Sequence, residues 1–144
     1  MRILPARSED LNAVKALLAE NGLPVADVTQ NLLRNFLIAQ DDDGSVVGCV
    51  GLERFRANAL LRSLAVLQPA QGRGLGRSLT DYAENAARVA GISDLWLLTT
   101  TAAHFFRRAD YVVASRSTAP DELQTSTQFA QLCPATAVCM KKTL

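Results

Sequence analysis

Apolar positions along the chain alternate between a period of two and a period near 3.6, and clusters of Gly, Pro and Asp separate the runs. Ile3 and Leu4 open a short strand. Ser8 is placed to cap a helix that carries Glu9 and Asp10 in its first turn, Leu11, Val14, Leu17 and Leu18 on its apolar face, and ends at Asn21-Gly22. A weaker helical pattern covers 25–33. Strand patterns follow over 36–39 and, past the turn Asp41-Asp42-Asp43-Gly44, over 46–55. A strand over 60–67 leads into a glycine-rich turn, and Leu75, Leu79, Tyr82, Ala83 and Ala86 then make a helical stripe that closes at Gly91. The remaining pattern reads as a buried strand over 95–98, a short helix over 102–108 and a strand over 111–115. A helix over 121–132 and a last strand over 137–140 complete it. This order predicts a mixed α/β fold in one domain, 1–144, without an internal repeat or linker.

Composition narrows the class. A chain of 144 residues is near the common size of a domain and too short for two ordinary ones. With 49% hydrophobic and 20% charged residues it buries a core rather than staying disordered. A net charge of +1 provides no field for nucleic acid or an anionic membrane, so neither is expected as a partner. No apolar run approaches the roughly 18 residues of a membrane-spanning helix, and Met1-Arg2-Ile3-Leu4-Pro5 lacks the form of a signal peptide, so a cytoplasmic location is expected. Cys49, Cys133 and Cys139 are odd in number and have no CxxC spacing, which favours neither a disulfide framework nor a zinc site.

Gln71-Gly72-Arg73-Gly74-Leu75-Gly76 stands between a strand pattern and a helix pattern. A strand that turns through glycines into a helix gathers free N–H groups and the positive end of the helix dipole, a combination that binds phosphate or pyrophosphate. Arg73 and Arg77 add charge at the rim. A solvated turn opening a helix is the plainer reading of the same glycines. A P-loop requires Lys-Ser/Thr after the last glycine, whereas Arg77-Ser78 follows Gly76 and the four-residue spacer is absent. A dinucleotide fingerprint requires Gly-x-Gly-x-x-Gly and an acidic residue at the end of the next strand. Here the spacing is Gly72-x-Gly74-x-Gly76, and that strand ends in Thr99-Thr100-Thr101.

The segment resembles the acetyl-CoA loop of the GNAT N-acetyltransferases, Gln/Arg-x-x-Gly-x-Gly/Ala, with Gln71, Gly74 and Gly76 at the matching positions. Leu64-Ala65-Val66-Leu67-Gln68-Pro69 is similar to that family's strand and proline lead-in, and the likeness runs over nearly the whole chain. It implies a GNAT fold, a central mixed and mostly antiparallel sheet flanked by helices. It also implies acetyl-CoA as cosubstrate, no metal, and a small-molecule amine as acceptor. The positions matching the cofactor site are Leu64, Ala65, Val66, Gln71, Gly72, Arg73, Gly74, Leu75, Gly76, Arg77 and Phe105. The runs 60–66, 97–103 and 129–134 resemble the small acetyltransferases associated with arsenic-resistance operons. That points to an amino acid, or an arsenic-containing analogue of one, as the acceptor. The oligomeric state is not written in the sequence, and a homodimer stays open.

An alkyl amine near pH 7 is protonated and cannot attack a thioester, so a base must remove a proton, directly or through water. Glu53, in Gly51-Leu52-Glu53 where the family commonly presents a carboxylate to the cleft, is the candidate base. A strand-end glutamate paired with Arg54 or Arg56 is the structural alternative. The resemblance assigns oxyanion stabilisation to backbone N–H groups at Leu64 and Val66. Many family members carry a tyrosine in the short helix to protonate the departing sulfur, and Phe106 stands at that position here. Tyr111 matches a later aromatic that is usually core. The only histidine, His104, reads as a solvated helix residue. Arg54, Arg56, Arg62 and Arg116 are each able to clamp a carboxylate but read first as solvated or structural, and Cys133 and Cys139 read as packing before metalloid ligands. A non-catalytic acyl-CoA sensor and a nucleotide-binding module remain rival readings.

Overall fold

A computed structural model describes residues 1–132 and 134–144 of the chain. Seven strands form one sheet: β1 (Arg2–Pro5), β2 (Phe36–Gln40), β3 (Val46–Phe55), β4 (Asn58–Val66), β5 (Asp94–Thr99), β6 (Val112–Val113) and β7 (Val138–Thr143). Their order is β1-β2-β3-β4-β5-β7-β6, and every neighbouring pair is antiparallel except β4 and β5. The helices are α1 (Leu11–Glu20), α2 (Gln30–Leu33), α3 (Leu75–Val89), α4 (Ala103–Arg108) and α5 (Asp121–Gln124). None of the helices among the described residues is long and apolar enough to cross a membrane.

Because side chains alternate across a strand, each central strand supplies two cores. Val47, Val50, Ala59, Leu61, Leu95 and Leu97 face α3, which buries Leu75, Leu79, Ala83 and Ala87 against them. The other face is divided. Phe36, Ile38, Cys49 and Ala65 meet Val14, Leu17 and Leu18 of α1 and Leu33 of α2, while Leu60, Trp96 and Cys139 meet Ala119, Leu123 and Phe129 from the C-terminal segment. The seam between those two clusters is where the cleft described below opens.

Several elements depart from the pattern. Ser8 caps nothing: residues Ser8–Asp10 form a 3-10 turn, and the buried Asp10 carboxylate takes the Arg7 N–H at 2.7 Å, being a stronger acceptor than a hydroxyl. The weak helix over 25–33 shrinks to α2, which starts where Thr29 Oγ1 accepts the N–H of Leu32. The helix over 121–132 is broken into α5 and a π turn, Gln128–Leu132, and the strand over 111–115 shrinks to β6. On α3 the buried stripe runs through Thr80 and Glu84, and Tyr82 and Ala86 are exposed. Glu84 is tolerated inside because its carboxylate receives Lys142 Nζ at 2.9 Å and the Tyr111 hydroxyl at 3.0 Å.

Candidate active site

The site begins with one extra residue. Between β3 and β4 the register runs from Cys49 opposite Ala65 to Gly51 opposite Arg62, so β4 carries one residue more than its partner over that stretch. Ser63 takes up the surplus with φ +58°, a left-handed conformation costly for a residue with a Cβ. Such a bulge bends its strand, and on its other side β4 leaves β5. The two pair only at Asn58 with Asp94, Ala59 with Leu95 and Leu60 with Trp96, although both strands continue. A cleft of about 800 Å³ lies in the gap, walled by residues 61–64 of β4 and 97–102 after the parting. Residues 21–26 close one flank, and Phe106, Gln128, Pro134 and Ala137 line the other parts.

Downstream of β4 the glycine loop is exposed, with Gly72 at φ +82° and Gly74 at φ +77° and open space where a Cβ of either would stand. Gly74 precedes the first residue of α3, a 15-residue helix without a capping side chain. The N–H groups of residues 72–77 donate to no acceptor among the described residues. Phe105 lies across Gly76, its ring 3.5 Å from where a Cβ would be, and stacks edge-on against Phe106. Gln71 is exposed, and its Nε2 donates to the Val66 carbonyl at 2.9 Å and ties the loop to the end of β4. Arg77 is turned along α3 to Asp81 and the Arg108 carbonyl, so of the two loop arginines Arg73 is the one exposed without an ion pair among the described residues.

Leu64 lines the cleft, while Ala65 and Val66 anchor the strand beyond the bulge, one in each core. Glu53 projects from β3 beside Leu60 and accepts from Arg62 Nη1 at 3.0 Å. Its partner is therefore neither Arg54 nor Arg56. The Arg62 side chain is 1% exposed and also holds Asp27 through two bonds of 2.6 and 2.7 Å, and its Nε donates to Ser63 Oγ. Arg62 lines the cleft, and Glu53 adjoins it through that guanidinium. Asp27 is the residue that sequence reading missed. The available signal was Arg62 itself, since a charge inside the run Leu60-Leu61-Arg62-Ser63-Leu64 demands a buried carboxylate partner.

Other sequence candidates lie apart. Tyr111 is buried behind Phe106 with its hydroxyl on Glu84; burial and that carboxylate hold the phenol well above its ordinary range. His104 is exposed. Arg54 caps the Arg56 carbonyl, and Arg116 donates to the Phe129 and Pro134 carbonyls. Cys139 is buried against Trp96 and Phe129, and Cys133 lies outside the described residues. Burial pushes the Cys49 thiol up to about 12, and it donates to the Ser63 carbonyl at 3.3 Å.

A strand parted from its parallel neighbour by a bulge, then a glycine turn and an uncapped helix, can be set against known proteins. The family described as acetyltransferase (GNAT) domain matches residues 33–113. The chain belongs to the GNAT acetyltransferases. An uncharacterized N-acetyltransferase of Chlorobaculum tepidum is 28% identical, over 96% of this chain and 94% of that one. The amino-acid acetyltransferase of Ralstonia nicotianae is 29% identical over 62% of this chain, but the match spans only 20% of that longer protein. Among solved structures, N-acetylglutamate synthase of Neisseria gonorrhoeae, complexed with coenzyme A and N-acetyl-glutamate, superimposes with a TM-score of 0.86 at 26% identity. That match covers 99% of this chain and 35% of that one. A Mycobacterium tuberculosis protein in complex with CoA and NLQ shares the fold, with a TM-score of 0.84 at 22% identity over 100% and 99% of the two chains. This GNAT chain thus corresponds to about a third of the Neisseria enzyme and to nearly all of the Chlorobaculum protein.

Proposed function

We propose that this GNAT chain moves the acetyl group of acetyl-CoA to the amine of a small molecule, an amino acid or an amino-acid analogue. The observation that carries the reading is the parting of β4 from β5 beside an uncapped helix. The loop fits the anionic end of acetyl-CoA: its N–H groups meet no acceptor among the described residues, its two left-handed glycines leave the main chain open, and α3 directs its positive pole there. The arm carrying the thioester then runs into the gap. Backbone N–H groups of Leu64 and Val66, on the freed side of β4, are the donors for the thioester oxygen as it becomes an oxyanion.

Glu53 takes the proton. Set behind Arg62, it reaches the acceptor ammonium through a water, and the neutral amine attacks the thioester carbonyl. The new C–N bond gives a tetrahedral intermediate. Its collapse breaks the C–S bond, and the amide nitrogen gives up its second proton to solvent. Phe106 offers no proton to the sulfur, and the Tyr111 hydroxyl is spent on Glu84, so the thiolate leaves as such and is protonated by solvent. The amino-acid reading is supported by the kind of relatives the chain has. The arsenic-containing analogue and a resistance role rest on the sequence resemblance alone, a cytoplasmic location rests on the lack of a signal-peptide pattern and of a spanning apolar run, and a homodimer stays open. A non-catalytic acyl-CoA sensor is the second reading, favoured by Phe106 at the position of the family's acid.

The test couples binding to turnover. Acetyl-CoA at a hundredfold excess over its dissociation constant should stabilise the fold by about 2.7 kcal/mol. Thiol release should then appear with one or more amines from a panel of amino acids and their phosphorus and arsenic analogues. Stabilisation without release from any amine sinks the enzyme reading in favour of the sensor, and no stabilisation sinks both.

A further inference from the structure

Resting on the role of Glu53 given above, we propose that Asp27 is a positioning residue for acetyl transfer: by occupying both terminal nitrogens of Arg62 it keeps one oxygen of Glu53 free to act. The guanidinium uses four of its five N–H donors, one on Ser63 Oγ, two on Asp27 and one on Glu53. Asp27 takes the bidentate grip, Oδ1 from Nη2 and Oδ2 from Nη1. Glu53 is thereby limited to a single contact through Oε1, and Oε2 has no partner among the described residues. Without Asp27 the buried guanidinium would have two nitrogens facing one carboxylate. The favoured geometry of such a pair is two parallel bonds, which would swing Glu53 round and engage both its oxygens.

The origin of Asp27 adds a second consequence. It lies directly after residues 21–26, the segment that closes one flank of the cleft, and bonds to a strand 35 positions away. Its grip on Arg62 therefore fixes the cleft wall and the base with one contact. The same occupancy removes Arg62 as a clamp for a substrate carboxylate. A tethered carboxylate competes at the millimolar effective concentration of an intramolecular partner, so a free carboxylate of ordinary affinity does not displace it.

The experiment measures steady-state kinetics of Asp27→Asn and Asp27→Glu with whichever amine the wild type acetylates, beside acetyl-CoA affinity by calorimetry. Asp27→Asn should lower kcat by about tenfold to a hundredfold, as misplacement of a reacting group does, with acceptor KM and acetyl-CoA affinity within about threefold of wild type. Asp27→Glu restores the bidentate anion and should recover most of the lost kcat. Should Asp27→Asn fail to fold, the double variant Asp27→Asn/Arg62→Leu carries the test, because it removes the orphaned guanidinium as well. It should fold and lose less kcat than Glu53→Gln does, since no guanidinium is left to engage both oxygens of Glu53. A wild-type kcat in folded Asp27→Asn, a loss confined to KM, or a double variant as slow as Glu53→Gln overturns the positioning role while leaving acetyl transfer standing, provided Glu53→Gln is slow. A wild-type chain that acetylates no amine overturns both.

Discussion

At the scale of single residues, the glycine loop separates backbone conformation from ligand chemistry. Gly74 sits at φ +77° with nothing within 4 Å of a Cβ, so Gly74→Ala meets no neighbour and only suffers the left-handed backbone. It should lower stability by about 1 kcal/mol in chemical denaturation and leave acetyl-CoA affinity within a few-fold. Gly74→Glu carries the same strain and adds a side chain and a negative charge where the anion is proposed to bind. Calorimetry should show its acetyl-CoA affinity down by at least about tenfold. Equal affinities in the two variants would remove the loop from the binding site. Glu53→Gln keeps the shape and the contact to Arg62 and removes the proposed base. Its kcat should fall by about 10² with acetyl-CoA affinity unchanged, and the deficit should narrow as pH rises and more amine arrives neutral. The loop was legible residue by residue because glycines at fixed spacing carry their own local physics. The surroundings of Glu53 were not, because its partner Arg62 and the controlling Asp27 are brought together only by folding, across separations of 9 and 35 positions.

At the scale of elements, periodicity located the strands and the long helix well and failed where tertiary contacts override it. The helix expected over 121–132 breaks because the segment folds over Trp96 and Leu60, with Leu123 and Phe129 both turned into that core from separate turns. The stripe on α3 was misplaced for a related reason. Glu84 reads as solvent-facing in any hydrophobic scale, yet it is the hub that joins α3 to Lys142 of β7 and to Tyr111 after α4. Lys142 also donates to the Ala109 carbonyl at 2.9 Å, so three elements converge on two charges. This arrangement gives a clean test of Tyr111. Tyr111→Phe removes a donor from a buried carboxylate and should cost about 1–3 kcal/mol in urea denaturation. Because the hydroxyl points at Glu84 and Phe106 stands between Tyr111 and the cleft lining, kcat should stay within about twofold. A stable variant that is catalytically dead would give Tyr111 the acid role after all.

At the scale of the whole molecule, buried groups set how the fold responds to pH. The Cys49 thiol is held at about 12 by burial, against 9.0 for a free thiol. An acid whose folded value is raised favours the native state while protonated in both states. That advantage is intact below about pH 9 and is lost as pH climbs toward 12, on the order of 4 kcal/mol across the window. Tyr111, raised in the same direction, adds to the loss at the alkaline end. Urea midpoints should therefore decline steeply above pH 9, and Cys49→Ala should flatten the first part of that decline. The parting of β4 and β5 has its own global reading. A sheet of seven strands has two outer edges, and the parting adds two in this one's interior, of which the longer is β4 beyond Leu60, without a strand neighbour on that side among the described residues. Unmatched edges recruit extended chains. The arm of acetyl-CoA, with its two amides, is such a chain in miniature, so binding at the proposed site would complete the sheet with a strand that is not protein. Amide hydrogen exchange over residues 61–66 should then slow on adding acetyl-CoA far more than it does in β2. Equal protection in both strands would mean that the ligand lies elsewhere.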